Sequence, residues 1–197
     1  MSATLTLPYS LLPIPTPPDE RPGGLVALPV ATTGDALIMG RIRDRQRATF
    51  TGDTAPITDE QQRVWWARHR YRGKAWLYAD ADGALAGYGA LLQQEDGRWV
   101  SSVAIVPGQE GRGYGSRILS HMVNAVDHPI HARALLSNPP ACHMHNAREW
   151  ETVGDDGECR YFVTRPRVVN RPVDWALAAY DDDEPRLPHG WRWEGAK

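Results

Sequence analysis

Three glycines alternate along the stretch PGQEGRGYGSRIL, which covers residues 107–119. Gly111, Gly113 and Gly115 stand between an apolar run and a segment whose apolar residues recur at helical spacing. Glycine tolerates positive φ and lets a ligand approach the main chain, while the first turn of a helix offers unpaired N–H donors and the positive end of its dipole. This combination predicts an anion site, most naturally for a phosphate or pyrophosphate.

Common glycine motifs fit this stretch less well. A plain strand-to-helix turn needs only one glycine. The Gly-Lys-Ser/Thr signature of nucleoside triphosphatases does not follow the glycines. The dinucleotide-binding fingerprint belongs to a first βα turn beside a second parallel strand, whereas here the preceding strand ends a run of hairpins.

The elements around the loop follow from periodicity and turn residues. Thr58 with Gln61 indicates a helix N-cap, and Ala81-Asp82-Gly83 indicates a hairpin turn. The predicted elements are a strand at 25–30, a helix near 34–47, a helix from Thr58, a hairpin at 74–93, a strand at 98–106, a helix at 116–126, a strand at 132–137, a helix at 140–150 and a strand at 158–168. The order β-α-α-β-β-β-α-β-α-β predicts an α+β domain with helices packed on a mixed sheet.

Composition divides the chain into three parts. Residues 1–23 contain six prolines and predict an extended Pro-rich N-terminal arm. Residues 24–168 hold the periodic elements of the domain. Residues 169–197 carry an acidic run and a Trp-Arg-Trp cluster and predict a Trp-containing acidic appendage.

Charge and cysteine content limit the partners. The formal net charge is -2, which gives no overall attraction to nucleic acid or to an anionic membrane. Cys142 and Cys159 are too few for a disulfide framework and lie in no metal-ligand spacing. No run of about 18 apolar residues is present. We expect a cytoplasmic protein, monomer or homodimer, without a membrane partner or a metal. A nucleic-acid partner is possible but is not indicated by the net charge.

Two stretches resemble motifs of the GNAT family of N-acetyltransferases. VAIVPGQEGRGYGSRIL at 103–119 resembles the family's acetyl-coenzyme A motif, a fourth strand followed by a Q/R-x-x-G-x-G/A loop and a helix, with Glu110, Gly113 and Gly115 at the defining positions. SNPPACHMHNAREW at 137–150 resembles the later N-x-x-A-x-x-x-Y-x-x-x-G-F motif. The resemblance covers about residues 24–165. It implies the GNAT fold, a mixed and mostly antiparallel sheet splayed between its fourth and fifth strands with helices on both faces.

The resemblance also implies how acetyl-coenzyme A is held as co-substrate. The main chain of the fourth strand would pair with the pantetheine arm, and the loop and helix N-terminus would hold the pyrophosphate. The implied cofactor-binding residues are Val103, Ala104, Ile105, Glu110, Gly111, Arg112, Gly113, Tyr114, Gly115, Ser116 and Asn138. Glu110 departs from the family's Gln or Arg, and an acid beside a polyanion predicts that Glu110→Gln tightens cofactor binding.

Catalytic candidates come from the same resemblance. His145 stands where the family has a tyrosine that protonates the departing thiolate, and an imidazole titrates near neutral pH. Ser102 is a candidate to hold a water that relays the proton of the amine, and Glu95 is a weaker candidate base. Arg133 stands where some members carry a catalytic glutamate. Each of these residues also has a plain structural interpretation as a packing or surface residue.

The first two predicted helices would build the acceptor side. IRDRQRATF and ITDEQQRVWWARH resemble segments of members that act on protein N-termini or amino sugars, so Arg43, Arg45, Trp65 and Trp66 are candidate acceptor-binding residues. Core packing and solvated arginines explain the same pattern equally well. The sequence thus predicts direct acetyl transfer from acetyl-coenzyme A to a primary amine, small or macromolecular. A non-catalytic acyl-coenzyme A-binding module and an acyltransferase acting on a protein amine or an aminated nucleobase are the alternatives.

Overall fold

A seven-stranded mixed sheet organises the part of the chain that the computed structural model describes, residues 24–52, 54–147 and 150–165. The elements in chain order are β1 Val26–Pro29, α1 Thr33–Arg45, a short 3-10 helix Arg47–Thr49, α2 Asp59–His69, β2 Gly73–Ala79, β3 Leu85–Gln93, β4 Trp99–Ile105, α3 Tyr114–Val123, β5 Ile130–Leu135, α4 Pro139–Asn146, β6 Glu151–Asp155 and β7 Cys159–Val163.

The strands lie in the order β1-β2-β3-β4-β5-β7-β6. Neighbouring strands run antiparallel except β4 and β5, which are parallel. The crossover between these two strands contains α3, as a parallel connection requires. The predicted α+β class with a mixed, mostly antiparallel sheet is confirmed.

Each face of the sheet buries its own apolar cluster. On one face, side chains of β2 and β7 such as Trp76 and Phe162 pack with Ile118 and Met122 of α3. On the other face, Tyr88 of β3 belongs to the cluster that α1 and α2 contribute to. We call these the α3/α4 face and the α1/α2 face. Helices therefore cover both faces, as predicted.

Capping boxes fix where the first two helices begin. The Thr32 hydroxyl accepts from the Asp35 N–H, and the Asp35 carboxylate accepts from the Thr32 N–H. Thr58 and Gln61 make the same reciprocal pair at α2, as the sequence predicts. Because both boxes are short-range, they set the helix starts independently of packing.

The structure adds one strand to the predicted elements and moves the bounds of several others, such as α4, which ends at Asn146 instead of 150. β6 is an additional strand, and all five of its residues are exposed. Such a polar segment lacks the alternation that signals a strand, and it forms because Asp156 accepts from the N–H groups of Glu158 and Cys159 and so closes a hairpin onto β7. α3 begins at Tyr114, two residues before the predicted start at 116.

Some predictions fall outside the described residues. These are the N-terminal arm at 1–23, the appendage at 169–197 and the residue Glu149. The three-part division of the chain stays a prediction. Within the described residues, none of the helices is long and apolar enough to cross a membrane.

Candidate functional site

The two middle strands of the sheet part after a short paired stretch. β4 and β5 pair in parallel at Trp99 with Ile130 and at Val100 with His131, and the paired stretch ends there. The Ser101 hydroxyl donates to the His131 carbonyl at 3.4 Å. We call the point just after this contact, where β4 and β5 separate, the fork. Beyond this fork the sheet opens, in the place where the resemblance implies a splayed sheet.

Main-chain groups of β4 alternate between β3 and the opening. The Val106 N–H donates to the Ala86 carbonyl on the β3 side at 2.9 Å, so the main-chain groups of Ala104, two residues earlier, point the same way. Those of Val103 and Ile105 point into the opening. An extended ligand can therefore pair with Val103 and Ile105, whereas the main chain of Ala104, predicted for the same task, is turned to β3.

Positive φ angles shape the loop after β4. The φ angle is 76° at Gly111 and 75° at Gly113. A Cβ added at either glycine would meet no atom within 4 Å. The loop is therefore open on the side where side chains would stand, and this geometry suits the close approach of a phosphate to the main chain.

Unpaired donors of α3 face this loop. Gly113 is the N-cap, and its carbonyl accepts the helical bond of the Arg117 N–H at 3.3 Å. The N–H groups of Tyr114, Gly115 and Ser116 precede that bond and have no acceptor within the helix. Together with the positive end of the helix dipole, they form a site that fits a pyrophosphate. Arg112, in the loop itself, is exposed.

Gly115 also has a packing function. A Cβ at this position would lie 2.7 Å from the Met144 sulfur of α4. A side chain there requires the flexible Met144 side chain to move, because a carbon and a sulfur atom cannot lie so close together. Sequence reasoning gave all three glycines the same task, whereas Gly115 also lies against the Met144 side chain of α4.

The carboxylate of Glu110 is committed to protein donors. It accepts from the Gly108 N–H at 2.6 Å and from the Gln46 side-chain amide at 2.8 Å. The same amide also donates to the Ile105 carbonyl at 3.0 Å. Hydrogen bonds from its own N–H, from Gln46 and from Gly108 hold the pKa of Glu110 below its ordinary value, so the group is ionised at neutral pH.

Glu110 therefore links the glycine loop to the end of α1. This observation changes the interpretation of its departure from the family pattern, because the carboxylate organises the loop instead of pointing freely at a ligand. Gln46 is a residue that sequence reasoning missed. Its position immediately after α1 gives no local signal of a contact with β4.

We expect Gln46→Met and Glu110→Ala to be non-additive in the free energy of unfolding, with a coupling of about 0.5–1 kcal/mol. The Gln46 amide and the Glu110 carboxylate share one hydrogen bond, so the second substitution has less to remove. Urea unfolding of the two single variants and the double variant measures the coupling. As a control, Gln46→Met and Glu95→Gln should add, and additivity of the first pair would contradict the contact.

Asn138 holds the start of α4. Its side-chain carbonyl accepts from the Ala141 N–H at 3.3 Å, which makes it the N-cap. Its amide donates to the Thr49 carbonyl at 3.5 Å. Arg133 of β5 makes a similar contact, to the Thr51 carbonyl at 3.4 Å. The connection between α1 and α2 thus reaches β5 and α4 across the opening, which the sequence did not predict.

His145 lies inside the protein. Its ring stacks on Phe162 at a centroid distance of 4.7 Å and lies 4.7 Å from the ring of Trp150. Burial lowers the pKa of His145 to about 4, so the ring is neutral at pH 7. Its Nδ1 is buried and has no partner among the described residues. The acid role of His145 stays a prediction. Because the ring is neutral at pH 7, the proton it would donate is the one on its neutral imidazole N–H.

A pair of hydroxyl groups lies beside the fork on the α1/α2 face. The hydroxyls of Tyr88 and Ser102 are 3.0 Å apart. Burial raises the pKa of Tyr88 to about 12, although the hydrogen bond to Ser102 and the positive charge of Arg43 oppose this shift. The Arg43 guanidinium lies 5.4 Å from the ring centroid of Phe50. Ser102 and Arg43, both predicted from the sequence, are therefore brought near one buried hydroxyl that sequence reasoning missed.

The other predicted site residues are more scattered. Arg45 is exposed and lines a pocket of about 110 Å³ between α1 and the start of α2. Because Arg43 and Arg45 are two residues apart, they lie on different sides of α1. Trp66 is 6% exposed and belongs to the core, while Trp65 is half-buried and stacks on His69 at 4.8 Å. Glu95 lies in the turn before β4, on the paired side of the fork. Their functional roles stay predictions.

A sheet that opens between two parallel strands, with a glycine loop and a helix N-terminus at the opening, is the architecture of acyl-coenzyme A-dependent transferases. The model of the acetyltransferase (GNAT) family matches residues 40–150, more than half of the chain. The chain belongs to this family. It is an N-acetyltransferase with acetyl-coenzyme A as co-substrate.

Solved structures of acetyltransferases share the fold of this chain. Spermidine N-acetyltransferase from Vibrio cholerae, in complex with CoA and spermine, is 13% identical, with 72% of this chain and 95% of that chain covered and a TM-score of 0.61. The putative acetyltransferase yncA from Salmonella typhimurium, with its cofactor acetyl-CoA, is 12% identical, with 76% and 96% covered and a TM-score of 0.61. No curated protein matches the chain significantly.

Proposed function

We propose that the protein transfers an acetyl group directly from acetyl-coenzyme A to a primary amine within a ternary complex. The observation that carries this proposal is the opening between β4 and β5, which leaves the main-chain groups of Val103 and Ile105 unpaired with β5 and ends at the donors of α3. The opening can hold an extended thioester arm, and the loop can hold its pyrophosphate.

The reaction needs little from side chains. The amine nitrogen forms a bond to the thioester carbon, the carbon–sulfur bond breaks, and one proton passes from the amine to the departing thiolate. Holding both reactants at the fork supplies much of the acceleration. In this proposal a main-chain N–H of β4, such as that of Val103, stabilises the negative charge that develops on the thioester oxygen.

Side chains then act on the proton. The Ser102 hydroxyl, which is hydrogen-bonded to Tyr88 beside the fork, holds a water or the amine itself in this proposal. His145 is neutral at pH 7, so it enters as a ring that accepts a proton at one nitrogen and donates one from the other, rather than as a standing imidazolium. Glu95 stays the weaker candidate base, and it lies in the turn between β3 and β4.

We expect acetyl-coenzyme A to release free thiol only when an amine is present, with intersecting initial-velocity lines for the two substrates, because both must be bound before the acyl group moves. A thiol-reactive dye measures the release, and mass spectrometry of the protein tests for a covalent acetyl group. Thiol release without an amine, leaving an acetylated protein, would overturn direct transfer. Binding of acetyl-coenzyme A without thiol release for any amine would favour a non-catalytic binding module.

A further inference from the structure

The fork carries a positive charge on the face where the acceptor would enter. Arg133 lies on β5 between Ala132 and Ala134, which are buried in the cluster of the α3/α4 face. Because side chains alternate along a strand, Arg133 belongs to the opposite, α1/α2 face. Its hydrogen bond to the Thr51 carbonyl, in the connection between α1 and α2, agrees with this placement.

Arg133 stands level with the hydroxyl pair on the other side of the opening. The parallel register pairs Val100 with His131, and two further residues along each strand bring Ser102 opposite Arg133. Ser102 points to the same α1/α2 face, since its hydroxyl contacts that of Tyr88, which is buried in the cluster of that face. Paired strands lie about 4.8 Å apart, and the distance grows beyond the fork. Arg133 and the hydroxyl pair therefore lie at the same level of the α1/α2 face, on opposite sides of the space where the amine must meet the thioester.

The guanidinium of Arg133 has capacity for a stronger partner. It donates to one neutral carbonyl at 3.4 Å, and the side chain is exposed. Among the ion pairs of the described residues, none involves Arg133. Tyr161 is directly across from Arg133 on β7, but its hydroxyl is hydrogen-bonded to Asp156. Hydrogen bonds from Tyr161 and from the N–H groups of Cys159 and Glu158 lower the pKa of Asp156 to about 2, so this carboxylate is already satisfied.

Arg43 of α1 adds a second positive charge near the hydroxyl pair. The charge of Arg43 is felt at the Tyr88 hydroxyl, and its guanidinium lies over Phe50. Arginine presents a planar set of donors that matches a carboxylate with two parallel hydrogen bonds. Two guanidinium groups beside one reaction centre favour an anion and repel a polycation.

We propose that the acceptor is a small amine that carries a carboxylate near its amino group, as in an amino acid, and that Arg133 binds this carboxylate. This inference rests on the proposed acetyl transfer and names the acceptor class for it. Arg133 and Ser102 stand at the same level, so a carboxylate on Arg133 brings the neighbouring amino group toward the fork. A polyamine would instead place a second ammonium against Arg133.

Acceptor pairs that differ only in charge test the proposal. We expect free amino acids to have KM values about tenfold or more below those of the corresponding amino acid amides, and spermidine to be a poor acceptor, because only the free acids offer Arg133 an anion. Arg133→Gln should remove the advantage of the free acids mainly through KM. Arg133→Glu should change the ratio of kcat/KM between acid and amide by about a hundredfold or more, because it replaces attraction by repulsion. Initial rates of thiol release, measured over a range of acceptor concentrations, give kcat and KM.

Arg72→Glu is the matched control, because Arg72 is an exposed arginine just before β2 that belongs to none of the candidate sites, and its reversal should leave the preference unchanged. Equal or better use of amides and spermidine by the unmodified protein, or an equal effect of both charge reversals, would overturn the proposal. If no acceptor releases thiol, the proposed acetyl transfer fails. Calorimetric binding of N-acetyl amino acids with coenzyme A to the unmodified protein and to Arg133→Glu still decides the role of Arg133, and binding that Arg133→Glu leaves unchanged would refute it.

Discussion

Gly113→Ala should raise the Kd for acetyl-coenzyme A about tenfold or more, a loss of about 1.4 kcal/mol or more of binding free energy. Gly113 has φ of 75° and is the N-cap of α3. An alanine either keeps this angle, with a methyl group projecting into the open space where a phosphate would lie, or relaxes to negative φ and turns the Tyr114 N–H away. Both results remove contacts to the pyrophosphate. Calorimetric titration with acetyl-coenzyme A measures the effect.

Gly97→Ala is a matched control for backbone strain. Gly97 has φ of 84° in the turn between β3 and β4, and a Cβ there also meets no atom within 4 Å. Both substitutions should cost about 1 kcal/mol of folding stability, because alanine is strained at positive φ. Only Gly113→Ala should affect cofactor binding. Equal Kd values for the two variants would show that the loop does not hold the pyrophosphate.

The free energy of unfolding should fall by roughly 4 kcal/mol between pH 7 and pH 5, about 2 kcal/mol each for the buried His145 and the half-buried His121. Burial lowers the pKa of both His121 and His145 from near 6.5 to about 4. Below pH 6.5 the unfolded chain binds protons at these two rings, whereas the folded protein does not until about pH 4. Stability is therefore full above pH 6.5 and is lost as the pH falls through this window.

Packing explains why these rings stay neutral. His121 accepts a hydrogen bond from, or donates one to, the Tyr78 hydroxyl at 2.8 Å and lies edge-on to Trp76 at a centroid distance of 5.1 Å. His145 stacks on Phe162. Apolar rings cannot replace the water that an imidazolium would lose on burial.

The slope of stability against pH tests this prediction. Urea unfolding at pH 7 and pH 5 should show that His121→Asn and His145→Phe each remove about half of the pH dependence, whatever they do to stability at pH 7. The exposed His143, substituted by asparagine, should leave the slope unchanged. Ordinary carboxylates titrate mostly below this window, so they contribute little. A flat profile between pH 7 and pH 5 would contradict burial of the two rings.

Local signals made much of the fold predictable. The capping box of Thr58 and Gln61 and the alternating glycines of 111–115 act within a few residues, so sequence spacing alone identifies them. The contacts that complete the site are of another kind. Gln46 and the Ile105 carbonyl are 59 residues apart, and Arg133 and the Thr51 carbonyl are 82 apart. Their partners are main-chain carbonyls, which every residue possesses, so the side chain's identity does not reveal the contact.

The same limit applies to burial and to weak strands. A histidine within HMHN gives no sign that its ring stacks on Phe162, because β7 reaches it only through tertiary packing. β6 is exposed throughout, including its one large apolar residue Val153, and is held by a turn and one neighbouring strand. Hydrophobic periodicity detects elements that bury one face, and β6 buries neither.

The hydrogen bond between the Gln46 amide and the Ile105 carbonyl has a thermochemical consequence. The Ile105 carbonyl oxygen has two lone pairs, so an amide N–H of an incoming pantetheine arm either joins the Gln46 amide there or displaces it, and displacement leaves only a small net gain at Ile105. At Val103 the arm competes with water instead. Substituting Gln46 by an apolar residue thus frees an acceptor on β4, and the enthalpy of acetyl-coenzyme A binding becomes the quantity that registers whether the exchange took place.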